Sequence, residues 1–125
     1  MVDVNFALFF LRVAVGTIFL AHGFSKRGMW KMQPSAQMSG GMLTVMRLLS
    51  VVEPLGGLAV LLGFLTNWAA VGLGIIMLGA VWLKMAKWKV LFSASDKMGW
   101  EFDLIILSVL VALLTYGPGA WAVMP

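Results

Sequence analysis

Hydrophobic residues along this chain fall into four runs, residues 6–23, 43–65, 68–83 and 102–117, with the polar positions gathered between them. Each run is near the ~17–25 residues that an α-helix needs to cross the hydrocarbon core of a bilayer. The pattern predicts an all-α, polytopic membrane protein: one four-transmembrane-helix bundle occupying residues 1–125. Little chain is left over for a soluble domain. The second connection is predicted to be a tight turn at Thr66-Asn67, while residues 28–41 are too polar and too rich in Gly, Pro and Ser to cross. That segment is expected to lie along the membrane surface as a short helix or irregular lid.

The small residues suggest how such helices meet. Gly56-Gly57 and Gly63 fall in the second run, and Gly72, Gly74 and Gly79 in the third, with Ala69, Ala70 and Ala80 beside them. Lipid supplies little hydrophobic drive for helix association, so close approach at small residues carries much of the packing. Close antiparallel pairing of the second and third spans is therefore expected.

Composition sharpens the class. Hydrophobic residues make up 62% of the chain against 11% charged, and the mean hydropathy of +0.99 lies outside soluble usage. The first run follows Asp3 rather than a basic segment, contains Arg12 and is followed by His-Gly-Phe-Ser-Lys-Arg at 22–27, so it reads as a retained span and not a signal peptide. The chain has no cysteine, which excludes disulfides, thiolate metal sites and cysteine redox chemistry within it. Any redox centre belongs to a bound cofactor or a partner.

The net charge of +4 is distributed in a way that argues for membrane topology rather than nucleic acid. Lys26, Arg27, Lys31 and Arg47 lie in or beside the first loop, and Lys84, Lys87, Lys89 and Lys97 in or beside the third; Arg12 is the remaining basic residue. The positive-inside rule then places loops one and three in the cytoplasm and both termini outside. Trp30, Trp82, Trp88 and Trp100, near the predicted helix ends, suit the headgroup layer, where an indole places its apolar body and its N–H together.

Charges at bilayer depth are costly, by at least ~2.5–3.5 kcal/mol for Arg or Asp at a helix centre, so those present need a reason. Counted from the cytoplasmic ends, Arg12 and Glu53 are each roughly 20 Å deep at ~1.5 Å per residue, and an ion pair between them is expected. Asn5 falls on nearly the same face as Arg12, and Pro54 is expected to kink the second span or to free a carbonyl for a ligand. Nearer the cytoplasm, His22 and Lys26 lie one turn apart, and Glu101 and Asp103 open the fourth span. His22 is the only imidazole in the chain, titrates near neutrality when unperturbed, and has Glu101 as its expected proton-exchange partner.

These residues outline a cavity with Arg12 and Glu53 at its floor and His22, Lys26 and Glu101 at its mouth. Arg12, Lys26 and Glu53 are the expected ligand-binding residues for a polar headgroup or small anion, with His22 and Glu101 in the proton-exchanging, catalytic role. The plainer alternative is a structural ion pair with ordinary interfacial polar residues around it. Met38, Met42 and Met46 share one helical face and thioethers suit Cu(I), but methionine is also a flexible filler, and no metal site is assigned.

Several spaced fragments resemble one family. Arg12-x3-Gly16 with His22-Gly23-x2-Lys26, Glu53-x2-Gly56-Gly57 with Gly63-x2-Thr66-x2-Ala69-Ala70, then Gly99-x-Glu101 and Gly117-Pro118-Gly119, resemble the DoxX/DoxD-like membrane proteins in order along nearly the whole chain. The resemblance implies a four-helix bundle in a prokaryotic inner (cytoplasmic) membrane. It further implies association with a redox system, because DoxD-type members are subunits of a membrane thiosulfate:quinone oxidoreductase and other members are linked to redox-stress complexes. The expectation is thus a membrane subunit whose pocket takes a quinone headgroup or small anion, with quinone the implied cofactor and a partner subunit or second copy completing the assembly. Whether catalysis occurs on this chain stays open, and a noncatalytic assembly subunit or a small transporter are the alternatives.

Overall fold

The protein is described here by a computed structural model covering residues 3–36, 38–93 and 99–124. Four helices follow in order: α1 (Val4–Ser25), α2 (Gly40–Leu62), α3 (Thr66–Trp82) and α4 (Trp100–Tyr116). A short 3-10 helix, Arg27–Trp30, follows α1, and α3 widens into a π-helical turn over Leu83–Lys87. Among the described residues there is no strand. Lys97, counted above with the third loop, lies outside the described residues.

Side chains start the first two helices. Asp3 accepts a hydrogen bond from the Asn5 amide at 3.1 Å, and Ser39 accepts one from the Met42 amide at 3.1 Å. Both satisfy amides that the first turn of a helix leaves unpaired. α2 runs through Pro54 and stops at Gly63, whose φ of +73° lets the Phe64 amide reach Ala59 O at 2.8 Å and its own amide reach Val60 O at 3.1 Å. That left-handed cap closes the helix. The turn therefore lies at Gly63–Leu65 and Thr66 already begins α3, rather than the turn falling at Thr66-Asn67. The glycine takes the left-handed conformation without steric cost, and a threonine does not.

Three segments, Val4–Trp30, Gly40–Leu62 and Thr66–Lys87, are long and apolar enough to cross a membrane. α4 has 17 residues and, at ~1.5 Å per residue, is about 25 Å long. The outward faces carry Phe10, Leu55, Trp68, Ile75 and Ile105, all exposed, as expected of a surface solvated by lipid. Buried between the helices are Phe19, Val60, Leu73, Met77, Ile106, Leu110 and Leu113.

The tightest seam joins α1 to α2; α2 and α3, whose close pairing the glycine spacing predicts, meet through fewer of their glycines. A Cβ placed on Gly16 would stand 2.7 Å from Gly57 O, one on Gly57 would stand 2.8 Å from Gly16 O, and one on Gly23 would overlap the Pro54 ring. On the other seam only Gly56 meets α3, at Leu73, whereas nothing lies within 4 Å of a Cβ at Gly72 or Gly79. Glycine spacing alone does not reveal which neighbouring helix a glycine faces.

α1 and α2 are also staggered. Gly23 faces Pro54, yet α1 ends two residues later while α2 began fourteen residues earlier, so α2 overshoots by about 18 Å at ~1.5 Å per residue. The overshooting turns hold the 3-10 helix. Arg47 Nε donates to Met29 O at 2.9 Å, Arg47 Nη2 to Met32 O at 2.8 Å, and Trp30 Nε1 to Ser50 Oγ at 2.8 Å.

Candidate functional site

The stagger separates the two charges expected to pair. Arg12 and Glu53 do not meet, because Glu53 is level with the end of α1, and Arg12 is eleven residues, about 16 Å at ~1.5 Å per residue, back along that helix. Counting depth from Lys26 and Gly41 treats two helix ends as level when they are three turns apart.

Arg12 instead closes the end of the bundle that holds the α2–α3 turn. Its side chain is buried, and Nε donates to Pro118 O at 2.9 Å, Nη1 to Leu61 O at 2.9 Å and Val60 O at 3.4 Å, and Nη2 to Trp121 O at 2.6 Å. Two of these carbonyls belong to the last turn of α2, where the dipole is negative; Val60 O accepts the Gly63 amide as well. The other two belong to the segment after α4. That segment is held further by the Val123 amide on Leu62 O at 2.9 Å, the Met124 amide on Gly63 O at 3.0 Å and the Ala120 amide on Asn5 Oδ1 at 2.9 Å. Among the described residues no carboxylate is within ion-pair distance of Arg12. Its surroundings are those of a clamp.

At the opposite, basic end a cavity of about 460 Å³ lies among all four helices. Its polar lining is His22, Lys26, Glu53, Lys84 and Asp103; Met46, Leu49, Ile76, Met77, Ala80 and Phe102 are among its apolar walls. Lys26 Nζ donates to Glu53 Oε2 at 3.0 Å. Lys84 Nζ stands 2.7 Å from Asp103 Oδ2, an ion pair whose carboxylate oxygen is wholly buried. Both carboxylates are almost fully buried, and each ammonium is partly exposed. The two pairs cancel, leaving a cavity rich in donors and acceptors but without net charge while His22 is neutral.

His22 stands between two aromatic rings, with centroids 5.9 Å from Phe19 and 5.6 Å from Phe102. Among the described residues neither ring nitrogen has a protein hydrogen-bond partner. The half-buried imidazole faces the cavity with unused hydrogen-bonding capacity.

The cavity thus brings His22, Lys26 and Glu53 together, while Arg12 and Glu101 lie outside it. Glu101 is exposed, and Asp103, two residues on and so on another face, is the carboxylate that turns inward. Lys84 and Asp103 join the site without being assigned to it from sequence. Their signal was periodicity: Asp103 precedes Ile106, Leu110 and Leu113 on the buried stripe of α4, and Lys84 follows Met77 by two turns on that of α3. The π turn that carries Lys84, closed by the Trp88 amide on Leu83 O at 2.8 Å, is a backbone irregularity often found at functional sites.

Apolar helices around a small polar chamber define a helical membrane protein with an internal cavity. Residues 7–86 match the family model described as DoxX, and the chain belongs to that family. The matched region takes in most of α1 and all of α2 and α3; α4, with Asp103, follows it. No curated protein matches the chain, and no solved structure matches it.

Proposed function

We propose that this DoxX-family protein is a four-span membrane subunit associated with a redox system, whose basic-end cavity receives a quinone headgroup. α4 serves as the fourth span, and the basic end faces the cytoplasm of a prokaryotic cell. The observation that carries the reading is the His22 imidazole, without a protein hydrogen-bond partner among the described residues, facing a chamber that combines two lysine–carboxylate pairs with apolar walls. A quinone ring is flat and apolar with two acceptor oxygens. Lys26 and Lys84 offer donors to those oxygens, Glu53 holds Lys26 in place, and Phe102 and the methionines enclose the ring. A small free anion fits less well, because each lysine is already neutralised by a carboxylate.

Reduction of a quinone to quinol consumes two electrons and two protons. The electrons would come from a partner redox protein, since the chain has no cysteine to hold a redox centre. In this reading His22 and Asp103 pass the protons, the role expected for His22 and Glu101 from sequence. Trp88 lines the cavity and provides a readout. In lipid nanodiscs, a quinone lacking its tail should quench tryptophan fluorescence saturably, and the saturable part should disappear in Trp88→Phe. Quenching that only rises linearly with quinone, identical in both proteins, would remove this reading.

A further inference from the structure

The cavity has a mouth, and its position identifies the path of a tail. The lining residues that are exposed are Val45 on α2, Gly79 on α3 and Trp88 just beyond the π turn, whereas those contributed by α1 and α4 are half-buried or buried. The chamber therefore opens between α2 and α3. Those helices are held together near their turn, where Gly56 meets Leu73, and are parted toward the basic end by the cavity itself. Gly79 lies five residues inside Lys84, about 7.5 Å at ~1.5 Å per residue, within an apolar span. Nothing lies within 4 Å of a Cβ at this position, so the missing side chain leaves open space.

From this arrangement we infer that the bound ligand is a membrane amphiphile with an uncharged, hydrogen-bonding head and a chain that leaves the cavity sideways between Val45 and Gly79 into the bilayer. The inference rests on the headgroup reading above and adds the tail's path. The polar groups His22, Lys26, Lys84 and Asp103 take the head. Val45 and Gly79 border the opening, and at Gly79, inside an apolar span, an apolar chain remains solvated by lipid while a free polar solute gains nothing.

The absence of cysteine makes a direct test possible. Gly79→Cys, which has room for the new side chain, is placed in nanodiscs and modified with a bulky thiosulfonate that a reductant removes. Val45→Cys on the opposite wall serves as a second blocking site, and Ile75→Cys, exposed on the outward face of α3, as the control. Two probes sharing one ring are compared, one with a long isoprenoid tail and one with none. Modification at residue 79 or 45 should weaken the tailed quinone by about tenfold or more, a loss of at least ~1.4 kcal/mol, reversed by reductant, and weaken the tail-less ring far less. Modification at residue 75 should affect neither. If both probes weaken alike, or neither weakens, the proposed tail path is wrong while headgroup binding stands. If the unmodified protein binds neither probe, the headgroup reading fails together with it.

Discussion

Glu53 is held by Lys26 at 3.0 Å, with the carboxylate almost fully buried and the ammonium partly exposed. A carboxylate so placed depends on its cation, because breaking a buried pair costs about 3–5 kcal/mol through the charge left behind. Lys26→Met should therefore destabilise the protein strongly, while Lys26→Met with Glu53→Met should recover much of the loss. Thermal unfolding in detergent gives the coupling. An equivalent cycle on Arg12 and Glu53 should be additive within about 0.5 kcal/mol, as expected of residues without shared partners. Strong coupling in that second cycle would contradict the arrangement described.

Arg12 is predicted to act on the chain's last described segment. Its guanidinium bonds four carbonyls, two on α2 and two on residues 118 and 121. Arg12→Met leaves those carbonyls short of donors, at about 1–3 kcal/mol for each one that stays buried without a partner. Hydrogen exchange at the Val123 and Met124 amides should accelerate, because their acceptors lie at the same helix end. Arg12→Lys should rescue only part of this protection, since one ammonium does not reproduce the planar fork. Unchanged exchange in Arg12→Met would show that the clamp is not what holds the segment.

The glycines should divide sharply by seam. Gly16→Val and Gly57→Val push side chains into opposing backbone and should prevent close docking of α1 on α2. Gly72→Ala meets nothing and should be neutral or stabilising by up to about 1 kcal/mol, the ordinary helix preference for alanine. Equal sensitivity at both sets, measured by thermal unfolding, would mean that the seams are misassigned.

Much of this was legible in the sequence. The four apolar runs are the four helices, and His22, Lys26 and Glu53 line one cavity, although depth counted along the sequence sets Glu53 deep beside Arg12. Longitudinal register was not legible. The hydrophobic pattern shows that α1 and α2 are long, but their stagger comes from Gly16, Gly23, Gly57 and Pro54 fitting together, a property of two surfaces rather than of either run. The choice between Glu101 and Asp103 was a matter of helical phase, and the stripe of Ile106, Leu110 and Leu113 contained the answer. The α2–α3 turn was displaced by three residues because the cap chemistry of Gly63 outweighed the polarity of Thr66-Asn67.

His22 provides a way to separate packing from chemistry. Its ring touches Phe19 and Phe102 and makes no hydrogen bond to protein among the described residues. His22→Phe should leave stability within about 1.5 kcal/mol, as shape-conserving core changes usually do. The same variant should lose saturable quinone quenching. Quenching that persists would take the imidazole out of ligand contact.

Asp103 and Glu101 offer the sharpest comparison, because they stand two residues apart and only the first enters the cavity. Glu101→Gln changes an exposed group and should leave stability within about 0.5 kcal/mol and quinone quenching intact. Asp103→Asn removes the charge opposite Lys84 and should lower stability and binding together. The double variant Lys84→Met with Asp103→Leu replaces the pair by apolar groups, an exchange often neutral or stabilising at buried sites. It should fold as well as the parent but fail to bind the quinone ring. A folded double variant with normal quenching would make this pair structural only, leaving His22, Lys26 and Glu53 to hold the head.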